Sequence, residues 1–215
     1  MTPLYEFEYM KKYLESTEYI DWEHPDILIC AKALAGGSSM QEDIARKCFE
    51  FVRDEIEHSG DYKLNPVTYK ASDVLKHGTG YCYAKSHLLA ALLRANDIPS
   101  GLCYQRLTIT DVPPFCLHGL NAVYLKPYGW YRIDARGNKK GVSAEFRPPT
   151  EKLAFPIATQ GEADLPEIWA DPLPIVIQAL KQYKTVQEVA NNLPDVELVT
   201  ANKLMFPGLL TLAEN

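Results

Sequence analysis

The sequence lacks the features of membrane proteins and of nucleic-acid-binding proteins. No segment approaches the ~20 consecutive apolar residues of a membrane-spanning helix, and the first residues carry acids where a secretory signal carries cations. The 22 Lys and Arg are outnumbered by 28 Asp and Glu, a net charge of −6 that repels phosphate backbones and anionic lipids. We therefore expect a cytoplasmic protein with no nucleic-acid partner and no membrane partner.

Cysteine pairs and ligand-binding loops are also missing. The cysteines are odd in number and include no C-x-x-C pair, so neither a disulfide framework nor a structural zinc site is predicted. The sequence has no Gly-rich phosphate loop and no calcium-loop pattern, and we expect no nucleotide, metal or other cofactor. Any cysteine chemistry is expected to use a single thiol from this set: Cys30, Cys48, Cys82, Cys103 and Cys116.

The 215 residues, 47% of them apolar, are enough for one well-buried core. Without internal repeats they predict a single domain over 1–215, with its core at about 40–140 and a proline-dense, wrapping C-terminal extension at 141–215. Helical periodicity dominates as far as Ala95 and alternating, β-rich segments follow from Gly101. This order predicts an α+β fold in which N-terminal helices pack on an antiparallel sheet.

Capping signals and periodicity locate the individual elements. Pro25 can open a helix that stops at Gly36. Ser39 and Glu42 have capping-box spacing, which predicts a helix that ends near His58. The other expected elements are helices at 72–76, from about Cys82 to Ala95, at 174–182 and at 185–192, with strands at 101–110, 117–125 and 130–134.

Cys82 is the strongest candidate for a nucleophile. Two glycines free the backbone just before a helix, and Cys82 falls in the first turn of that helix. Unpaired N–H groups and the helix dipole favour a thiolate there over a thiol, whose usual pKa is ~8.5, and the same N–H groups can bind an oxyanion. The alternative is a small buried apolar residue, the role that we assign to Cys30, Cys48 and Cys103.

A nucleophilic thiol needs a base and a third group that fixes the tautomer of the base. His118 begins one predicted strand and Asp134 ends the next. If Leu125 pairs with Gly129 across a three-residue loop, the two side chains share a sheet face one diagonal step apart, about 7–8 Å between Cα atoms. A loop of even length would put them on opposite faces, leaving a strand-end histidine and a turn-capping carboxylate.

Other residues near these positions have more than one interpretation. Tyr81 and Tyr83 flank Cys82 and either line an apolar groove for an extended substrate or simply pack beside the helix. Cys116 shares a strand face with His118 if the strand begins early enough, but its spacing supports neither a redox nor a metal role. We interpret the remaining histidines as structural or solvent-exposed: His24, His58, His77 and His87.

The order and spacing of these residues resemble the transglutaminase-like superfamily over roughly Ser72 to Asp134. The resemblance implies a papain-like core in which Cys82 is the nucleophile, His118 is the general base and acid, and Asp134 orients the imidazole. The matching segments are Gly80-x-Cys82 with the helix as far as Arg94, Asn96-Asp97-Ile98-Pro99, His118 to Leu125 and Gly129 to Asp134.

The chain departs from the usual pattern of this superfamily at three places. Ser100-Gly101 replaces a frequent Ala-Arg, Gly119-Leu120 replaces Ala-Trp after the histidine, and Ala135-Arg136 follows the aspartate where a proline is usual. We expect these positions to border the cleft, so they bear on substrate choice rather than on the triad.

The resemblance implies attack of a thiolate on a carboxamide or peptide carbonyl of a peptide or protein substrate, through a Cys-linked thioester. Hydrolysis by a peptidase or amidase is favoured over transamidation. Two other functions stay open: a catalytically inactive module that binds a peptide or protein, and acyl transfer from a thioester donor. The extension after Gly141 either covers the cleft as a lid or completes the core.

Overall fold

The N-terminal half of the chain is helical. A computed structural model describes residues 10–198. Helix α1 runs from Pro25 to Ala35 and ends at Gly36, whose φ of 57° is left-handed, as the sequence predicts. The other elements of this half are α2 (Gln41–Glu55), β1 (Glu57–His58), α3 (Ser59–Tyr62), α4 (Ala71–His77), β2 (Thr79–Gly80) and α5 (Cys82–Arg94).

Helix α2 differs from its prediction at both ends. The capping box of Ser39 and Glu42 is wrong, because Met40 is the N-cap residue and its side chain makes no capping bond. The helix ends at Glu55, before the expected His58, because residues 57–58 turn into the short strand β1. That strand pairs in parallel with β2, with His58 opposite Gly80.

Helix α5 is the centre of the core. All thirteen of its residues are buried, between the helices α1, α2 and α4 on one side and strands β3 and β4 on the other. Even Arg94 is only 1% exposed, and its guanidinium donates to the carbonyl oxygens of Glu15, Ser100 and Ala170. These bonds satisfy the buried charge and tie the segments around the end of the helix together.

Four antiparallel strands form the main sheet in the order β5-β4-β3-β6. Leu125 pairs with Gly129 across the turn between β4 and β5, so the expected three-residue loop is confirmed. The predicted α+β class, with helices on an antiparallel sheet, is confirmed as well. The strands are β3 (Ser100–Thr108), β4 (Phe115–Leu125), β5 (Gly129–Ile133) and β6 (Ala163–Asp164).

The extension after the sheet is irregular as far as α6 (Pro174–Gln182) and α7 (Val186–Ala190). Thr185 and Glu188 form a capping box at the start of α7, within the helix that the sequence predicts at 185–192. A Cβ on Gly101 would lie 2.4 Å from Ile168, so the extension packs closely on β3 at this point. The expectation that Gly101 borders the cleft is therefore wrong, since its missing side chain makes room for the extension. The part of the extension beyond residue 198 lies outside the described residues.

Candidate active site

Cys82 is the first residue of α5 and is 7% exposed. The side chain of the N-cap residue Tyr81 makes no capping bond, so it does not hydrogen-bond to the N–H groups of the first turn. The backbone N–H of Gly119 in β4 donates to the Cys82 sulfur at 3.4 Å. The sulfur therefore lies against the strand that carries His118, in a position where an anion would be stabilised.

His118 and Asp134 lie side by side on one face of the sheet. The Nε2 atom of His118 is 2.8 Å from Oδ2 of Asp134, and both side chains are buried. The odd-length turn between β4 and β5 brings them to the same face. Because Nε2 faces the carboxylate, Nδ1 is the ring nitrogen left for the sulfur of Cys82, and that sulfur is close enough to raise the pKa of the imidazole. The structure thus brings together all three residues that the sequence selects.

The electrostatics favour a charged imidazole. Burial works against a charge on His118, but the Asp134 carboxylate and the Cys82 sulfur outweigh it and raise the pKa of His118 to about 10. Burial would also raise the pKa of Asp134, yet His118 and the N–H groups of Ala154 and Arg136 lower it below its usual value. The site is built to hold an imidazolium between a carboxylate and a sulfur.

A cleft of about 460 Å³ opens beside the three residues. Tyr81 and Tyr83 both line it, and both hydroxyls donate to backbone carbonyls, that of Tyr81 to Val186 at 2.6 Å and that of Tyr83 to Leu117. Burial raises the pKa of Tyr81 to about 12 and also raises that of Tyr83 well above its usual value. Their role in substrate binding stays a prediction, but only their rings are left to serve it.

The extension supplies part of the site. The N–H of Ala154 donates to Asp134 at 3.0 Å, and the ring of Phe155 meets the His118 imidazole edge to face at a centroid distance of 5.0 Å. Further along, Ala190 and Leu193 line the cleft. The segment around Ala154 is thus a fixed support for the dyad, which favours the interpretation that the extension completes the core.

Three residues of the site were missed by the sequence interpretation. His58 lines the cleft because the pairing of β1 with β2 sets it opposite Gly80, two residues before Cys82. Asp61 follows in α3 and accepts from Arg136, and Phe155 comes from the irregular extension. The partner of Asp61, Arg136, was expected at the cleft from its place after Asp134.

The remaining cysteines and histidines mostly have structural surroundings. Burial raises the pKa of both Cys48 and Cys103 to about 12, so these thiols are poor nucleophiles. Cys116 lines the cleft, and burial raises its pKa to about 12 as well. His87 is buried and bonds to the Tyr69 carbonyl oxygen through Nδ1 at 2.7 Å. Within residues 10–198, no cluster of three or more His, Cys, Asp or Glu side chains is placed to hold a metal ion.

The departures from the superfamily pattern fall into two groups. Arg136 lines the cleft, as expected for a position that bears on substrate choice. Leu120 instead packs with Cys103 and Ala122 in a separate apolar cluster, so the expectation that it borders the cleft is wrong. Gly119 touches the backbone of Tyr83, where a Cβ would lie 3.1 Å from its Cα.

Comparison with known proteins confirms the resemblance. The model of the transglutaminase-like superfamily matches residues 30–135, just under half of the chain and the stretch that holds all three candidate residues. Residues 30–135 are therefore similar to the core of this superfamily. No curated protein matches the sequence significantly.

Solved structures from three bacteria superpose on part of this chain. A proposed cysteine protease from Cytophaga hutchinsonii superposes with a TM-score of 0.50 at 19% identity, over 63% of this chain and 45% of that protein. The periplasmic domain of TgpA from Pseudomonas aeruginosa gives 0.46 at 14% identity, over 60% and 46% of the two chains. A proposed protease from Parabacteroides distasonis gives 0.41 at 12% identity, over 69% and 30%. The chain thus spans less than half the length of each of these structures.

Among the described residues, no helix combines the length and the apolar character needed to cross a membrane.

Proposed function

We propose that the protein is a thiol enzyme that cleaves carboxamide or peptide bonds, with Cys82 as nucleophile, His118 as general base and acid, and Asp134 as the residue that orients the imidazole. The observation that carries the proposal is the arrangement of the three residues. His118 Nε2 bonds to Asp134, the backbone N–H of the next residue, Gly119, donates to the sulfur of Cys82, and Cys82 and His118 line one cleft. The similarity to the transglutaminase-like core is consistent with it, because that fold supports thiol chemistry on amides.

In the first half-reaction the Cys82 sulfur attacks the substrate carbonyl carbon and forms a tetrahedral oxyanion. The backbone N–H of Cys82, at the start of α5, is the nearest donor to this oxygen. His118 then gives its proton to the leaving amine or ammonia as the C–N bond breaks, and a thioester to Cys82 remains.

In the second half-reaction His118 takes a proton from water, and the hydroxide attacks the thioester carbonyl. The carboxylic acid leaves, and the sulfur and the imidazolium are restored. Asp134 keeps Nδ1 of the ring directed at the reacting atoms in both steps by accepting from Nε2. We propose hydrolysis rather than transamidation because the cleft opens to solvent and water is the acceptor in large excess.

The substrate proposed here is a peptide or a protein-derived amide. Much of the cleft lining is apolar and suits an extended chain. Its apolar residues come from β3, from the position just after β3, from β4 and from the extension: Leu107, Ile109, Leu117, Val142, Phe155 and Leu193.

A peptide library incubated in water labelled with oxygen-18 tests this function. We expect cleavage with one labelled oxygen in the new carboxylate, lost in Cys82→Ala and in His118→Ala. Transfer of the acyl group to an added amine without label would instead establish transamidation. Binding of peptides with equal affinity by wild type and Cys82→Ala, with no turnover, would overturn the enzymatic function.

A further inference from the structure

One end of the cleft holds more positive than negative charge. Asp61 is the only carboxylate among the described residues that line the cleft, and two cations bind it. Arg136 Nη1 lies 2.9 Å from Oδ2 of Asp61, and Lys139 Nζ lies 2.7 Å from Oδ1. Two cations therefore share one carboxylate, in a protein whose net charge is −6.

His58 lies beside Asp61 and carries no charge that could balance the two cations. Its side chain is 10% exposed, and its Nδ1 atom is buried with no hydrogen-bond partner within residues 10–198, 3.7 Å from Oδ2 of Asp61. Burial, Arg136 and Lys85 lower the pKa of His58 to about 3, so the ring is neutral at pH 7. It is a buried polar group at the cleft that lacks a partner, which is costly unless a ligand supplies one.

A further cation lies behind this end of the cleft. Lys85 of α5 is 1% exposed, and its ammonium donates to the backbone carbonyls of Ile56 and Arg53. Burial, and after it the neighbouring Arg136, lowers its pKa to about 7, against the opposing effect of Asp134, Asp54 and Asp61. The ammonium of Lys85 is thus close enough to Arg136 for the two charges to repel each other.

The charged end is close to the reacting atoms. The Arg136 guanidinium lies 5.5 Å from the centroid of the Phe155 ring, and the same ring contacts His118 at 5.0 Å. One aromatic ring therefore separates the cationic pair from the imidazole. A group bound by Arg136 and a carbonyl held at Cys82 could therefore belong to one short peptide.

We propose that His58, Arg136 and Lys139 form a subsite for a carboxylate of the substrate. The protein would then prefer amide substrates that carry a carboxylate near the scissile bond. This inference rests on the proposed function and names its substrate class. Guanidinium and ammonium groups are the usual partners of carboxylates. The carboxylate comes either from the C-terminus of a short peptide or from an acidic side chain beside the scissile bond.

Alkylation of the native protein by two matched reagents tests the subsite without a known substrate. Iodoacetate is anionic and iodoacetamide is its neutral analogue, and both transfer a carbon to a thiol as iodide leaves. We expect the rate with iodoacetate divided by the rate with iodoacetamide to be higher for Cys82 than for the thiol of glutathione. This ratio should fall about fivefold in Lys139→Gln, which removes one partly screened charge.

Lys140→Gln is the matched control, because Lys140 is also exposed and does not line the cleft. An equal fall of the ratio in Lys139→Gln and Lys140→Gln, or no fall in either, would overturn the subsite. The ratio should also approach that of glutathione as salt rises to about 1 M, where the Debye length is about 3 Å.

A binding measurement separates failure of the subsite from failure of the proposed function. In Cys82→Ala, the ring resonances of His58 are followed while acetyl-Ala-Ala, acetyl-Glu-Ala-amide or acetyl-Gln-Ala-amide is added. A shift with acetyl-Ala-Ala alone assigns a terminal carboxylate, and one with the Glu peptide alone assigns a side chain. Equal shifts with all three peptides, or none, would overturn the subsite. A Cys82 that neither reagent modifies would overturn the thiol chemistry, while the His58 shifts still decide the subsite.

Discussion

The His118 Nε2 atom and the Asp134 Oδ2 atom are 2.8 Å apart, and neither side chain could reach the other if the turn between β4 and β5 had one residue more or fewer. A change of one residue would move one of them to the opposite sheet face. The carboxylate accepts from Nε2, and the backbone N–H groups of Ala154 and Arg136 hold it in place. The dyad is therefore fixed by the register of the sheet on one side and by the extension on the other.

Asp134→Asn should leave the fold intact and reduce activity. The amide keeps the shape of the carboxylate but cannot hold the imidazole in the same tautomer or stabilise its charge, so we expect kcat to fall about 100- to 10,000-fold. The pKa of His118 should fall as well, since the Asp134 charge helps to raise it. Steady-state kinetics and the ring resonances of His118 measure both effects, and an unchanged His118 pKa would contradict the assignment.

Phe155→Leu tests whether the extension positions the imidazole. Leucine keeps the apolar surface but removes the edge-to-face contact with His118, so we expect kcat to fall about ten- to a hundredfold with a smaller change in KM. The pH profile of activity should also shift in this variant. Phe146→Leu is the control, because Phe146 is also half-buried but packs against Phe49 and Tyr131. Equal losses in both variants would assign Phe155 a packing role only.

Gly119→Ala should damage both stability and reactivity. The added Cβ would lie 3.0 Å from Cδ1 and 3.1 Å from Cα of Tyr83, and the backbone Cα cannot move aside without shifting the start of α5. We expect a loss of about 1–3 kcal/mol in the free energy of unfolding, together with slower alkylation of Cys82. Urea unfolding and labelling rates measure the two effects. A variant as stable and as reactive as wild type would show that the strand is not pressed against α5.

His87 should make the fold sensitive to acid. Burial lowers its pKa to about 4, below the usual 6.5, so the unfolded chain binds more protons than the native one between these two values. Stability is then lost as the pH falls below 6.5, by up to about 3 kcal/mol once the pH is below 4. His87→Gln should reduce this loss, whereas His24→Gln, at an exposed position, should not. Urea titrations at several pH values compare the three proteins.

The sequence carried most of the information about the three reacting residues. Strand alternation and one assumption about loop length were enough to put His118 and Asp134 on one face, because the period of a strand is 2 and leaves only two choices. The glycines before Cys82 predicted its place in the first turn of a buried helix. Both predictions depend on residues that are close together along the chain.

The surroundings of these residues could not be predicted in the same way. His58 reaches the cleft through a parallel pairing of only two residues, which is too short to leave a periodic signal. Phe155 comes from an irregular segment whose path depends on contacts with distant strands. The false capping box at Ser39 has a similar cause, since the helix begins two residues later at Gln41, where packing rather than a cap decides its start.

The most direct test of the central claim is the rate of alkylation of each cysteine by iodoacetamide as a function of pH, in wild type and in His118→Ala. We predict selective modification of Cys82 well below about pH 8, where an ordinary thiol is mostly protonated, and the loss of this selectivity when the imidazole is removed. Labelling spread evenly over the five cysteines, or a Cys82 rate that does not change in His118→Ala, would contradict the account.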